Sequence, residues 1–422
     1  MLGVASCLTA AALVASGCGS GGGSSTSPGI TKTSVLIGSH QPLTGPAAPG
    51  YSEIAPAAKA FFQYVNAQGG VNGRKINLIY KDDGYNPTNT VTVVKQLVLQ
   101  NKVFAIWGGL GTPTHTKVVD FLNSEKVPDL FVSSGCPCWD DGTKHPYTFG
   151  WQPNYTIEGK ILGQYIKNNF AGKKVGVFYQ DDDFGQGGLA GLKQQLGSQI
   201  VVAKPYQPTV TNVAPQITAI QKAGAQVLVD FTIPAFTALE RLTSFKLGYK
   251  PQLAVSNVGI DPTTVGGLLK AFSKGKANTA LIEGAITDAY LPSPTDTSNS
   301  WIQLFKKIHD QYDAKAPFDG NVEYGMASAY TFAQALKNAG KNPSRQDLVD
   351  AVEKGGFTGP GLVPFRYTKT QHGGFGGGQI ATIKNGQIVT QGQPMVTDPG
   401  GGAITVSNMK QAQVGDNGVV KP

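Results

Sequence analysis

Short apolar segments alternate with amphipathic helical segments along most of this chain, and this alternation strongly constrains its fold. The unit is clear near the start, where a strand-like run from Ser34 to Gly38 leads into a Pro/Gly-rich loop. Apolar residues then recur at helical spacing from Ile54 to Val65, and the glycine-rich turn 69–73 ends that helix. A second strand follows from Ile76 to Tyr80. This order predicts a parallel sheet covered by helices on both faces.

The same alternation occurs twice along the chain. In the first half we expect further helices over Asn89–Gln100 and His115–Glu125, with strands over Val103–Trp107 and Val127–Val132. The pattern restarts near Ile157, and a hairpin turning at 385–386 closes the second half. We predict an α/β fold of two Rossmann-like lobes with parallel central sheets. Three crossings of the chain would join them into a hinge, with the strand ends of both lobes facing a cleft.

The N-terminal residues indicate export. Residues 2–17 are small and apolar, a run too short to cross a bilayer comfortably but typical of a signal peptide. Residues 15–18, Ala-Ser-Gly-Cys, resemble a bacterial lipobox, although a basic n-region is missing and Ala15 stands where leucine is commoner. We therefore expect lipidated Cys18 to anchor the protein to the outer, extracytoplasmic face of the bacterial cell membrane. The alternative is a plain cleaved signal peptide with an incidental Cys18.

These observations divide the chain into five parts. Residues 1–17 form the signal peptide, and residues 18–31 the lipidated cysteine with a flexible glycine-rich tether. We expect lobe 1 to contain residues 32–152 and 288–358. Lobe 2 would contain residues 153–287 and 359–397. Residues 398–422 show no periodicity and are expected to form a loosely ordered tail.

Composition and charge exclude some classes of partner. The 422 residues carry a formal net charge of +8, with 15% charged residues. The basic residues are dispersed, with no run longer than Lys173-Lys174 or Lys306-Lys307. A nucleic-acid surface would be expected to cluster them, so we predict no nucleic-acid partner. Weak attraction to an anionic envelope is compatible with this charge but is not required by it.

Catalytic and metal-binding motifs are weak in this sequence. It contains no GxSxG, HExxH or Walker A motif, and its five histidines are isolated. Ser133 and Ser134 with His115 could imitate a nucleophile and base, but no third orienting group is evident. The runs Asp82-Asp83 and Asp181–Asp183 are typical of solvated loops or helix caps. We expect no enzyme activity, no cofactor and no metal.

Two cysteines, Cys136 and Cys138, would remain after export and lipidation. An oxidising compartment favours a disulfide between them, although so small a ring is strained. Free thiols are the main alternative. A metal site is disfavoured because no other cysteine or histidine pair would complete a tetrahedral shell.

Several motifs in order resemble one known family. They are PLTGPAAPG, then AAKAFFQYVNAQGGVNGRKINLIYKDDGYNP, then VGVFYQDDDFGQGGLAGLKQQL. Together they resemble the extracytoplasmic solute-binding proteins of branched-chain amino acid ABC importers, across roughly residues 35–367. The resemblance implies the type I periplasmic binding fold, also described as a Venus-flytrap. It also implies a small-molecule ligand and ABC transporter permease subunits as partners, and we expect a monomer.

The resemblance also implies ligand-binding residues in lobe 1. Residues 111–114 begin a helix, where free N–H groups suit an anion and Pro113 fits the first turn. In the family a hydroxyl residue at the position of Thr112 binds the ligand carboxylate. The loop with Ser133, Ser134 and Cys136 adds hydroxyl and backbone contacts. The family also places an aromatic residue over the ligand near the position of Tyr51.

Lobe 2 matches the family pattern in one place and departs from it in two. Phe184 matches an aromatic residue that closes the cleft. Tyr155 stands where amino-acid binders carry an aspartate, and Asn257-Val258-Gly259 stands where they carry a second acid. An enclosed ammonium needs anionic compensation, so these departures favour a carboxylate or amide ligand without an α-ammonium. We include Thr232, at the end of a predicted strand, among the ligand-binding candidates.

The sequence therefore predicts the substrate-binding lipoprotein of an ABC importer, which captures a small organic ligand and delivers it to a permease. One alternative is a ligand sensor on the same scaffold. Another is an amino acid binder with relocated acids, for which Asp261 or Asp181–Asp183 are available. A secreted redox or hydrolytic enzyme using Cys136 or Ser134 is a more distant alternative.

Overall fold

The computed structural model describes residues 27–421, and its strands form two separate sheets. The first sheet has the order β2-β1-β3-β4-β5, and every neighbouring pair is parallel. Its strands are β1 (Ser34–Gln41), β2 (Lys75–Asp82), β3 (Ala105–Trp107), β4 (Asp129–Val132) and β5 (Thr148–Gly150). The predicted signal peptide and Cys18 lie outside the described residues.

The second sheet has nine strands. Its parallel part has the order β10-β9-β8-β6-β7, and antiparallel strands extend it beyond β10. The parallel strands are β6 (Val175–Gln180), β7 (Ile200–Tyr206), β8 (Val227–Phe231), β9 (Gln252–Val255) and β10 (Ile286–Ala289). The added strands are β11 (Gly377–Lys384), β12 (Gln387–Thr390), β13 (Met395–Val396) and β14 (Thr405–Val406). The hairpin β11–β12 turns at Asn385-Gly386 as predicted.

Helices pack on the faces of both sheets. The first sheet carries α1 (Ala48–Tyr51), α2 (Ile54–Ala67), α3 (Pro87–Lys95), α4 (Thr112–His115), α5 (Val119–Ser124), α11 (Ser300–Tyr312), α12 (Gly320–Asn338) and α13 (Arg345–Glu353). The second carries α6 (Tyr155–Asn169), α7 (Asp183–Leu196), α8 (Ala214–Lys222), α9 (Pro234–Lys246) and α10 (Pro262–Phe272). A π-helical turn over Gln96–Gln100 extends α3. Among residues 27–421, no helix has the length and apolar content that a bilayer crossing requires.

The chain passes between the two sheets three times, after β5, after β10 and after α13. Each sheet is buried by its helices, so strands such as β4 and β6 are mostly apolar and are buried along their whole length. The predicted fold class of two Rossmann-like lobes with parallel sheets and three crossings is therefore confirmed. Strand β10 of the second sheet includes Asp288 and Ala289, so the chain leaves this sheet after residue 289.

Three local features of the structure differ from what the sequence predicts. The single helix expected over His115–Glu125 is divided into α4 and α5, and the buried His115 side chain bonds Asp129 and His40 at the break. Strand β5 is only three residues long and was not predicted. Helix α10 was also not predicted, although Asp261 caps its first turn by accepting from Thr264 N.

Residues 398–421, for which the sequence predicts a loosely ordered tail, make long-range contacts in the structure. The buried Lys160 ammonium donates to three backbone carbonyls in the first five residues of this segment. Further along, the indole N–H of Trp301 donates to the Ala412 carbonyl at 2.7 Å. Val419 and Val420 are buried, and Lys421 N donates to Gln68 Oε1 of the first lobe at 3.1 Å. The tail therefore runs from the second lobe to the first, and long-range contacts rather than periodic packing hold it.

Candidate functional site

A cavity of about 140 Å³ lies between the lobes, at the carboxyl ends of the parallel strands of both sheets. This is where open α/β sheets place ligands. A cavity of about 150 Å³ accommodates a benzene-sized molecule, so this one suits a ligand with a small apolar group. Both lobes contribute to its wall, and neither lobe encloses it alone.

Aromatic side chains form much of the cavity wall. They are Tyr51, Tyr85 and Tyr324 from the first lobe and Tyr155, Phe184 and Tyr290 from the second lobe and its crossing. Two helix caps position a pair of them. Asn154 accepts from Thr156 N at the start of α6, beside Tyr155, and Asp182 accepts from Phe184 N at the start of α7. The rings of Tyr155 and Phe184 lie 4.5 Å apart, so they form one side of the cavity together.

A group of hydroxyls occupies the first-lobe side of the cavity. Gly111 adopts a φ of 103°, a conformation that glycine tolerates, and this turns the chain into α4 at Thr112. Thr112 Oγ1 lies 2.6 Å from Ser134 Oγ, which also accepts from Cys136 N at 3.2 Å. Ser133 Oγ reaches the cavity and has no hydrogen-bond partner among the described residues. This corner can donate hydrogen bonds to a carboxylate or a carbonyl oxygen.

A carboxyl pair lies on the second-lobe side. Asp288 lines the cavity, and Glu158 lies behind it on α6. Asn257 joins them: its backbone N donates to Glu158 Oε1 at 2.7 Å, and its Nδ2 lies 3.3 Å from both Asp288 oxygens. Burial and mutual repulsion raise the pKa of Glu158 well above its usual range, and burial raises the pKa of Asp288. The pair therefore holds a proton readily and can accept from a ligand N–H group.

A second cluster of carboxyl groups lies at the other end of the cavity. Asp261 and Glu323 line it, with Glu53 and Asp319 next to them. Burial, aided by Asp319 and Asp261, raises the pKa of Glu53 to about 8, and burial with Asp261 raises that of Asp319 to about 6. Among the described residues, no lysine or arginine lines the cavity. The polar wall is therefore acidic and lacks a fixed cation.

The two lobes contact each other across the cleft. The Tyr51 hydroxyl donates to the Val258 carbonyl at 2.6 Å. Gln180 Nε2 donates to the Tyr85 hydroxyl at 3.2 Å, and Gly320 N donates to Asp261 Oδ2 at 3.1 Å. Each of these bonds joins a residue of the first lobe to one of the second. The structure therefore represents a closed arrangement of the lobes.

The structure brings together six of the predicted ligand-binding residues and leaves four away from the cavity. Tyr51, Thr112, Ser133, Tyr155, Phe184 and Asn257 line it. Pro113, Ser134, Cys136 and Thr232 do not. Ser134 supports Thr112 from behind, and the Thr232 hydroxyl is bonded to Thr237 at 2.6 Å in the lobe interior. A direct ligand contact is therefore not expected from these four.

The Cys136 and Cys138 sulfurs are joined in a disulfide. Cys136 is fully buried, and Cys138 Sγ lies 3.8 Å from Asp183 of the second lobe. The disulfide therefore belongs to the loop that carries Ser133 and Ser134, next to the cavity but not in its wall.

Two carboxyls line the cavity although both family acids are missing. Asp288 and Asp261 place them there from other positions, so the wall is also compatible with a ligand ammonium. Asp261 was considered as a substitute from the sequence, whereas Asp288, Glu323 and Tyr85 were missed. Tyr85 and Asp288 could have been found, because each lies at or just after the carboxyl end of a parallel strand.

Comparison with known proteins supports this description. A family model described as periplasmic binding protein matches residues 34–387. The Leu/Ile/Val-binding protein homolog 2 of Brucella abortus (strain 2308) is 24% identical over 344 residues, covering 78% of this chain and 85% of the relative.

Solved structures share the fold. A branched chain amino acid ABC transporter from Thermus thermophilus with bound valine superposes with a TM-score of 0.77 at 18% identity, covering 88% of this chain and 98% of that chain. A fatty acid ABC transporter substrate-binding protein from Thermomonospora curvata gives a TM-score of 0.75 at 23% identity, covering 89% and 95%.

Proposed function

Because this chain belongs to the periplasmic binding protein family, whose members bind solutes and are not enzymes, we propose that it captures a small ligand for an ABC importer. The observation that carries the proposal is the cavity between the lobes, lined from both sides and held by interlobe hydrogen bonds. A ligand held by both lobes stabilises the closed form, which a permease can distinguish from the open form.

The polar groups of the cavity favour a ligand with an acceptor at one end and a donor at the other. Thr112 and Ser133 would donate to a carboxylate or carbonyl oxygen. Asp288, backed by Glu158, would accept from an ammonium or an amide N–H. The aromatic wall would surround a small apolar group between them.

We therefore propose a neutral amino acid as the first candidate ligand and an amide as the second. A simple aliphatic acid is less suited, because its single negative charge would have no cation in the wall and would face several carboxyls. The name of the Brucella abortus relative, a Leu/Ile/Val-binding protein homolog, is compatible with an amino acid as the first candidate.

We further propose that the protein is a monomer anchored through lipidated Cys18 and that it delivers its ligand to permease subunits. The lobe boundaries near residues 152 and 358 are part of the same proposal. The support for the anchor is the sequence at residues 15–18.

A thermal-shift screen of the full chain tests the ligand class. Probes are branched-chain and aromatic amino acids, the corresponding amides, and the corresponding acids without the amine. Binding to the folded state raises the melting temperature by mass action. We expect amino acids to raise it, and Asp288→Asn to weaken that response while Asp310→Asn, an exposed control, leaves it unchanged.

Other results of the thermal-shift screen would change the proposed ligand class or the proposed site. A response to acids and amides alone would restore the sequence-based expectation of a ligand without an α-ammonium. An equal response in Asp288→Asn would remove Asp288 from the site. The absence of any response across all three classes would contradict the proposed ligand class.

A further inference from the structure

One edge of the second lobe lies opposite the cavity. Strands β6, β8 and β9 begin there, and helices α8, α9 and α10 end there. Backbone bonds connect the segments along this edge: Gln226 N donates to Lys174 O at 2.7 Å, and Gln252 N donates to Gln226 O at 2.9 Å. Gly284 N continues the row by donating to Ile383 O at 2.9 Å. We define the base of the second lobe as residues 167–174, 222–226, 245–252, 270–284 and 384–386.

The base concentrates the positive charge of the protein. It contains ten lysines and a single acidic residue, Glu283. All ten lysines are exposed: Lys167, Lys173, Lys174, Lys222, Lys246, Lys250, Lys270, Lys274, Lys276 and Lys384. The excess of nine positive charges at the base accounts for the whole formal charge of +8, so the rest of the chain is close to neutral.

Apolar side chains are exposed among these lysines. Phe245, at the end of α9, is 67% exposed, and Phe272, the last residue of α10, is 45% exposed. The two helices pack side by side and end at the same edge. Leu247 follows α9 and is 36% exposed, while its carbonyl accepts from Gln221 at the end of α8. Large exposed apolar groups beside one another mark a surface that contacts something else.

We propose that the base of the second lobe is a docking surface for an anionic phospholipid bilayer. Lysine ammonium groups suit the phosphates of an anionic leaflet, and their long stems let them follow its surface. The two phenylalanine side chains, each at the end of a helix, can enter the interfacial region of the bilayer between the lipid headgroups. Because the cleft lies at the opposite edge, docking through the base leaves the cavity accessible. This inference depends on neither the ligand nor the anchor at Cys18.

The composition of the base favours a lipid surface over a nucleic acid. All ten cations are lysines and none is arginine, although arginine is the side chain that recognises phosphates with a bidentate fork. The aromatic residues lie at helix ends beside lysines, where a lipid interface would receive them. The base is therefore complementary in charge to a diffuse anionic surface.

Co-sedimentation of the full chain with vesicles tests this assignment. The vesicles contain phosphatidylglycerol and phosphatidylcholine in equal parts, and vesicles of phosphatidylcholine alone serve as reference. The base variant is Lys246→Gln, Lys270→Gln, Lys274→Gln. The matched control is Lys59→Gln, Lys117→Gln, Lys307→Gln, which removes the same charge from exposed positions of the first lobe.

We expect the base variant to lose at least about tenfold in affinity for the anionic vesicles, and the control to lose much less. Phe245→Ser with Phe272→Ser should also weaken binding, whereas Leu99→Ser, at an exposed leucine of the first lobe, should not. Every substituted side chain is exposed, and unchanged melting temperatures would verify folding.

Three results would overturn the assignment. The first is an equal loss in the base and control variants, which would indicate attraction by net charge alone. The second is equal binding of the wild-type chain to both vesicle types. The third is displacement of the protein from anionic vesicles by single-stranded DNA at equal phosphate concentration, which would assign the base to nucleic acid.

Discussion

At the scale of single residues, the hydroxyls near Thr112 decide how an acceptor group of a ligand could be held. Thr112 Oγ1 and Ser134 Oγ lie 2.6 Å apart, and Ser134 already accepts from Cys136 N. Either hydroxyl can donate in this bond, and when Ser134 donates, the Thr112 proton is free for a ligand oxygen. A hydroxyl placed in this way needs no reorganisation when the ligand arrives.

Thr112→Ala should weaken the binding of a carboxylate-bearing ligand by about 1–2 kcal/mol, because it removes a hydrogen bond to a charged group. Isothermal titration calorimetry with the ligand identified by the thermal-shift screen measures the change. Thr112→Ser should retain most of the affinity, and Thr116→Ala, on the same turn but away from the wall, is the control. An unchanged affinity in Thr112→Ala would remove this residue from the site.

A site residue could be predicted from the sequence when a recognisable motif or a strand end lies next to it. Thr112, Ser133 and Phe184 follow motifs and strand ends that a resemblance can locate. Asp288 and Glu323 come from elements distant in sequence, and their convergence on one cavity is a product of the interlobe geometry. The sequence pattern indicates which residue follows a strand, but not which side chains of the other lobe lie beside it.

At the scale of elements, the repeated strand–helix unit places two kinds of residue at two opposite edges of the second lobe. Loops after the strands carry the ligand-binding residues, and loops after the helices carry the lysines. In the sequence these lysines fall in five separate stretches between residues 167 and 384, so they appear dispersed. The fold brings them together, and this is why the charge cluster could not be predicted from runs in the sequence.

Three helix starts also converge beside the cavity. Glu53, Asp261 and Asp319 are the residues that precede α2, α10 and α12, and Asp261 comes from the other lobe. Glu323 in the first turn of α12 adds a fourth carboxyl. Helix N-termini favour negative charge, but burial here raises the pKa values of all four groups, and repulsion by neighbouring carboxylates adds to this for Glu53, Asp319 and Glu323.

This convergence predicts a pH-dependent stability. The folded protein binds a proton at Glu53 up to about pH 8, whereas the unfolded chain releases it near its ordinary pKa of 4.5. Between these two values the folded state holds more protons, so stability should fall as pH rises. Melting temperatures measured from about pH 5 to about pH 8 should decrease, and Glu53→Gln should reduce the slope.

Glu283→Gln, at an exposed carboxyl of the base, is the matched control and should leave the slope unchanged. A slope in Glu53→Gln equal to that of the wild type would show that Glu53 is not the titrating group. A melting temperature that rises over this range would contradict the assigned direction for the cluster.

At the scale of the whole molecule, the cavity exists only where the two lobes meet. The fold class and the number of crossings could be predicted, because strand and helix periodicities are local. The tail could not be predicted, because Lys160 and Trp301 hold it through contacts across more than a hundred residues of sequence. Like the tail contacts, the bonds that close the cleft are long-range, and they are few.

The bond from Tyr51 to Val258 is the interlobe contact most open to a test. Tyr51→Phe keeps the ring in the cavity wall but removes the donor to the Val258 carbonyl, 2.6 Å away. A net loss of about 0.5–1.5 kcal/mol from the closed form would shift the unliganded protein toward the open form. We expect the radius of gyration from small-angle X-ray scattering to rise without ligand and to return to the wild-type value when ligand saturates the protein.

The same shift should weaken ligand affinity by a factor of about two to ten, because binding must first restore closure. Tyr249→Phe is the matched control, since its hydroxyl bonds the Ala225 carbonyl within the second lobe and does not cross the cleft. If Tyr51→Phe weakened binding while the unliganded radius stayed at the wild-type value, Tyr51 would act on the ligand directly. Closure would then depend on the other interlobe bonds, among them those from Gln180 to Tyr85, from Gly320 to Asp261 and from Asn321 to Thr264.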